Sequence, residues 1–219
     1  RNEFTEQALA RLSEVYLSDK DYKNAVQFLA RLETEADFPQ NLIFAQTNLM
    51  KASYELKQYT TAVVYAEKVL QNIKVDAAIK SDAQVIIARS AIKTGDTGKA
   101  EIAYAEVSKI ATGQLAAEAL YYEAYFKNKR GDFINSNIMV QRLAKEYSAY
   151  TLYGAKGLLV MADNFKELGD AYQATYILES VVVNFEDYPA LIKEAQDALL
   201  IIKTAESKTN SSIETPEGN

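Results

Sequence analysis

The chain has 219 residues, 48% apolar and 25% charged, with a formal net charge of −6 and a pI near 4.9. That acidic balance, with no clustered run of Lys and Arg, argues against a nucleic-acid surface, and no uninterrupted apolar run approaches the roughly 18 residues of a membrane span. The absence of His and Cys removes the commonest nucleophile and base pairs and the usual zinc ligands together, so metal and cofactor chemistry is not expected, while the redox compartment stays open.

Helices are predicted throughout. The chain starts at Arg1 with no charged-then-apolar leader, and it reads as an excised piece of a longer protein. From about Phe4, Leu9, Leu12, Val15 and Tyr16 recur at helical spacing; after a corner at Asp21-Tyr22 a second helix carries Ala25, Phe28, Leu29 and Leu32 and stops before Pro39. The next unit places Phe44, Leu49, Ala52 and Tyr54 before its corner and Ala62, Tyr65, Ala66 and Val69 after it. Asp76 suits the N-cap of a third unit, in which Ile79, Ala83, Ile87 and Ala91 lead to Gly95 and Ala100, Tyr104 and Val107 return.

The fourth unit is rich in Tyr. Ala119, Leu120, Tyr121, Tyr122, Tyr125 and Phe126 make its first helix apolar almost all round, the mark of a helix buried on several sides or carrying an aromatic patch. The fifth, with Leu158, Met161, Ala162 and Phe165 and then Leu178, Val181 and Val182, is the most regular. A helix over 189–207, striped with Leu191, Ala195, Ala198, Leu199 and Ile202, suits a closing element, and the polar residues 208–219 read as a disordered tail. Asn210-Ser211-Ser212 fits the short glycosylation pattern, which carries little information alone.

What unites these units is a recurring corner: Lys20-Asp21-Tyr22, Lys57-Gln58-Tyr59, Gly95-Asp96-Thr97, Gly131-Asp132-Phe133 and Gly169-Asp170-Ala171. Each is followed by a small side chain, Ala25, Ala62, Ala100, Ser136 or Ala174, at spacings of 37, 38, 36 and 38 residues. A fixed period in that range signals a stacked array in which no repeat can bury its apolar face alone.

At these residues the chain resembles the tetratricopeptide repeat family. The matches are a small residue in the first helix (Ser13, Ala88, Ala124, Ala162), an aromatic after the turn (Tyr22, Tyr59, Phe133), the small residue of the second helix, and an aliphatic seven residues on (Leu32, Val69, Val107, Leu143, Val181). Departures are Met50 at a small position, Glu123 and Lys127 at normally buried ones, Thr97 and Ala171 for the aromatic, and Ser136 for Ala. The resemblance covers about residues 5 to 185. It implies an all-α, right-handed α-solenoid, a tetratricopeptide-like superhelix of five helix pairs, with repeats at about 5–38, 41–74, 77–111, 114–148 and 151–186 and the capping helix at 189–207, all in one domain over 1–207. The longer period, with the segments 144–155 and 183–189, is similar in style to the C-terminal part of large repeat proteins of the Bacteroidetes cell envelope, which implies an envelope or periplasmic location.

The resemblance also implies the function: a non-enzymatic protein-interaction scaffold whose groove is lined by first helices. In this register Lys51, Tyr54, Glu55, Arg89 and Lys93, with Val85 and Ile92, face that groove and could anchor a protein or peptide partner. The Lys and Asn clamp of the chaperone-binding branch is not expected, since Ala10, Glu14 and Ile86 occupy three of its positions and only Asn48 matches. A periplasmic adaptor or sensor that holds a peptide or small ligand in the groove is the alternative. The Tyr121, Tyr122, Tyr125, Tyr147, Tyr150 and Tyr153 cluster is a second candidate surface, with inter-repeat packing as its plainer explanation.

Catalysis has little support in the residues. Asp96, Asp132 and Asp170 belong to turns, and Gly95-Asp96-Thr97-Gly98-Lys99 lacks both the preceding strand and the spacing of a phosphate loop. The register itself is testable: Ala174→Leu should overpack the fifth corner and lower the unfolding free energy by roughly 1 to 3 kcal/mol. An unchanged melting temperature would place Ala174 outside the packed seam.

Overall fold

The computed structural model describes residues 4–213, with side chains described through residue 207. Among the described residues there are eleven helices and no strand: α1 (Thr5–Ser18), α2 (Tyr22–Glu35), α3 (Pro39–Glu55), α4 (Tyr59–Gln71), α5 (Ala77–Thr94), α6 (Thr97–Ser108), α7 (Gly113–Lys129), α8 (Phe133–Glu146), α9 (Thr151–Glu167), α10 (Ala171–Asn184) and α11 (Pro189–Ile213).

The corners follow from backbone chemistry. At each one the entering helix ends with a residue in the left-handed region, Lys20, Lys57, Gly95, Gly131 or Gly169, at φ values from 57° to 82°. The next N–H then donates to a carbonyl five residues back: Asp21 to Tyr16, Gln58 to Ser53, Asp96 to Ala91, Asp132 to Lys127 and Asp170 to Phe165, all at 2.8 to 3.0 Å. Carbonyls that a helix end would leave unpaired are closed by this bond.

The same residue opens the following helix. Its carbonyl accepts the N–H of Ala25, Ala62, Ala100, Ser136 or Ala174, the small residue four positions later. The carboxylates of Asp21, Asp96 and Asp170 also accept the N–H groups of Asn24, Lys99 and Gln173, at 3.2, 3.0 and 3.0 Å. Asp132 accepts instead from the side-chain amide of Asn135. Asp76 caps α5 as expected, through Ile79 N–H at 2.8 Å.

Packing follows the period. Ser13, Ala88, Ala124 and Ala162, each seven residues before the left-handed corner residue, and Ala25, Ala62, Ala100, Ser136 and Ala174 after it are at most 2% exposed. Met50 holds the equivalent first-helix position and is also fully buried, its unbranched thioether filling space that a small residue leaves elsewhere.

The helices gather into two compact units, Arg1–Ile110 and Ala111–Asn219. Within the first, each helix packs on its successor from α1 to α6, and within the second from α7 to α11. Helices entering a corner also touch one another, α1 with α3, α3 with α5 and α7 with α9, and the closing helix α11 touches α9 in the same way. Within each unit, among the described residues, no two helices leaving a corner are in contact, so contact between alternate helices is confined to the row that contains the first helices.

α11 buries Ala195 and Ile202 against α9 and α10, but its outer face is not wholly polar as a closing helix requires, since Leu200 and Ile201 are exposed. Its backbone continues past 207 to Ile213, since extending an established helix adds one hydrogen bond per residue fixed. Residues 214–219 of the expected polar tail, and the side chains of the Asn210-Ser211-Ser212 motif, lie outside the described residues. No described helix is long and apolar enough to cross a membrane.

Two corner substitutions should move stability in opposite directions. Lys57 adopts φ of 59° with a side chain that disfavours it, so Lys57→Gly should raise the unfolding free energy by about 0.5 to 1 kcal/mol. Gly169→Ala, at φ of 82°, should lower it by roughly 1 kcal/mol. Denaturant unfolding followed by circular dichroism reads both, and equal effects of the same sign would show that corner geometry does not control stability.

Candidate functional site

In the first unit, α3 places Lys51, Tyr54 and Glu55, and α5 places Arg89 and Lys93. Glu55 and Lys93 are exposed, whereas Tyr54 and Arg89 are half-buried. Contact between α3 and α5 brings Lys51 to Asp82, with Nζ 2.6 Å from the carboxylate. Both side chains are about half exposed, so this bridge contributes under about 1 kcal/mol and leaves the face accessible. Tyr54 turns its ring edge-on to Tyr59 at the start of α4, 5.7 Å between centroids. Asp82 is the member of this face that the repeat register did not single out.

Behind it, Glu33 on α2 is a structural node, accepting from Gln46 at 3.1 Å, Tyr65 at 3.1 Å and Lys68 at 2.7 Å. Burial pushes the Glu33 carboxyl up, but these donors and the Lys68 charge outweigh it and hold the group below the usual carboxylate range. Three helices are thereby tied together: α2, α3 and α4.

The second unit contains a cavity of about 360 Å³ between α7, α9 and α11. Its apolar side is formed by Leu159 and Val160 on α9, Ala198 and Ile202 on α11, and Leu178, which reaches through from α10. Tyr121 and Tyr125 on α7 form a wall, their centroids 6.4 Å apart. Lys129 lies over the Tyr125 ring at 5.2 Å, and Lys156 lies over Tyr121 at 5.6 Å and over Tyr153 at 5.7 Å. Asp163, Lys166 and Glu194 complete the charged part of the lining.

The charged groups are not equivalent. Burial pushes the Asp163 carboxyl up, yet hydrogen bonds from Lys166 at 2.8 Å and Asn128 at 3.0 Å, with the positive charges of Lys166 and Lys129, leave it below its ordinary value. Lys166 also meets Glu167 at 2.9 Å. The Tyr121 hydroxyl is pushed well above the usual phenol range, first by burial and then by Tyr122, Tyr125 and Glu194, so it stays a neutral donor at any physiological pH.

The tyrosine cluster therefore divides. Tyr153 is buried and donates to Glu118 at 2.7 Å, while Tyr147 and Tyr150 pack on the small core of Ala117, Leu120, Leu143 and Tyr153. Tyr122 lies against Phe126 with 6.0 Å between ring centroids. Tyr121, which packs on the same core, and Tyr125 also line the cavity.

Beneath the cavity runs a buried polar chain that the sequence did not announce. Asn164 on α9 donates to Ser136 Oγ at 2.8 Å and to Asn137 at 2.7 Å, and accepts from Asn128 at 2.8 Å; Ser136 donates to the Ala124 carbonyl at 2.8 Å. Three helices, α7, α8 and α9, meet in it. The replacement of Ala by Ser136 was its visible trace. Hydrogen bonding of every member is what allows these groups to be buried at all.

No model of a known protein family matches the chain, and a comparison with curated proteins finds no match. Among the described residues no group of three carboxylates could hold a metal ion.

Asn164 should be the weak point of the polar chain. Asn164→Ala would leave one N–H of the Asn128 amide, whose other partner is Asp163, and the Asn137 and Ser136 acceptors without their bonds to Asn164, at a cost of about 1 to 3 kcal/mol in unfolding free energy. Chemical denaturation measures this, and an unchanged midpoint would mean that the chain contributes nothing net.

Proposed function

We propose that the chain is a non-enzymatic protein-interaction scaffold of the tetratricopeptide type, a right-handed α-solenoid of five helix pairs and a closing helix, from a larger envelope-associated protein. The observation that carries this reading is the division of roles among the helices. Within each unit successive first helices touch one another, and second helices do not. An inner row of helices offers side chains to an extended or helical segment of a partner, and Arg and Tyr are the residue types that anchor such contacts.

On the first unit those side chains are Lys51, Tyr54, Glu55, Arg89 and Lys93. Carboxylates that could otherwise attract a catalytic reading are used as caps at Asp21, Asp96 and Asp170. A second reading, a periplasmic module holding a peptide or small ligand, is favoured by one observation only, the cavity of the second unit.

Selection of a displayed random-peptide library on the intact chain, followed by calorimetry on the enriched sequences, tests the scaffold. The combined change Lys51→Ala, Tyr54→Ala and Arg89→Ala should weaken the selected peptides at least tenfold without loss of helicity. Enrichment no better than background, or affinity untouched by the triple change, would refute it.

A further inference from the structure

We infer that the cavity of the second unit binds a small neutral alcohol, an apolar body with one hydroxyl that donates to the side-chain carbonyl of Asn128. This goes beyond partner docking on the first unit and does not depend on it.

The buried polar chain has a fixed direction, and it ends on that acceptor. A backbone carbonyl only accepts, so the Ser136 hydroxyl donates to Ala124 and its oxygen receives an N–H of the Asn164 amide. The Asn164 carbonyl is thereby turned to Asn128, whose amide nitrogen gives one N–H to it at 2.8 Å and the other to the Asp163 carboxylate at 3.0 Å. Both N–H groups of Asn128 are then used, and its Oδ1 is left over. Asn128 lines the cavity and is only 6% exposed. Among the described residues no donor reaches that oxygen, and the protein does not seal it off. A nearly buried acceptor that faces open space is satisfied by a donor on whatever fills that space.

That donor is neutral. Lys166 stands 2.8 Å from Asp163 and 2.9 Å from Glu167, and the charges of Lys166 and Lys129 both act on Asp163. An ammonium group brought to Asn128 would meet those two cations. A carboxylate would set its oxygens against an oxygen that only accepts. A hydroxyl is uncharged and brings the single donor that Oδ1 lacks.

The apolar side of the cavity takes the body of the molecule. Leu159, Val160, Leu178, Ala198 and Ile202 form it, and Leu178 and Ile202 belong to the packed core at 2% and 4% exposure. An apolar body placed there leaves water. A cavity of about 360 Å³ falls in the range of small-molecule pockets. One turn of an α-helix, roughly 10 Å across and 5.4 Å in pitch, already occupies about 400 Å³, so a partner helix does not fit inside.

Calorimetric titration of the intact chain with octan-1-ol, its isomer 1-methoxyheptane, octanoate and octylammonium tests this. Octan-1-ol should bind saturably at one per chain. The isomeric ether covers the open acceptor without satisfying it, so it should bind at least fivefold more weakly, and so should the two ions. Asn128→Leu should erase the preference for octan-1-ol over the ether. Ala198→Phe, which fills the apolar side and leaves the polar chain untouched, should abolish binding of both, with the melting temperature as the control for folding; should Asn128→Leu fail to fold, this variant and the comparison with the ether decide. Equal binding of octan-1-ol and 1-methoxyheptane, tighter binding of either ion, no saturable binding, or a preference that survives Asn128→Leu would overturn the assignment. Because the scaffold reading rests on Lys51, Tyr54 and Arg89, the triple alanine chain should still bind octan-1-ol as the unaltered chain does, so the two readings fail separately.

Discussion

One residue that must close a helix and open the next governs this structure. At each corner the N–H of Asp21, Gln58, Asp96, Asp132 or Asp170 completes the end of the preceding helix, and its carbonyl begins the following one. Sharing the residue leaves no slack between the helices, so the small side chain four positions later always falls where two backbones approach. A larger residue there would drive them apart. The glycine or lysine in the left-handed region is the conformational cost of so tight a junction.

Close pairing has a consequence one level up. Each pair buries its seam but leaves an apolar face for its neighbour, and within each unit the second helix of one pair packs on the first helix of the next. α7 shows the demand most clearly. Its residues are used on several sides at once, with Ala117 and Leu120 in a core, Phe126 buried, and Tyr121 and Tyr125 on a cavity wall. A helix apolar almost all round is what such a position requires.

The units also carry different polar nodes. In the first, a half-buried carboxylate, Glu33, collects donors from two neighbouring helices. In the second, neutral amides and a hydroxyl do the equivalent work at Asn128, Ser136, Asn137 and Asn164, all buried. Neutral groups avoid the desolvation cost of an enclosed charge, and their directional bonds fix helix register as apolar contacts cannot.

Sequence alone determined the helices, their corners and their period, because those depend on bonds and contacts within four or five residues: the left-handed position, the Asp cap, the small residue that follows. The buried state of Ser13, Ala88, Ala124 and Ala162 was legible for the same reason. Tertiary structure alone decided which tyrosines also line the cavity, since Tyr121, which packs on the core and lines the cavity, and Tyr153, buried against Glu118, look alike in sequence. It also assembled Asn128 with Asn164, set Lys51 against Asp82, and opened the cavity between α7, α9 and α11. Each of these depends on distances between helices, and a local pattern carries no measure of those distances.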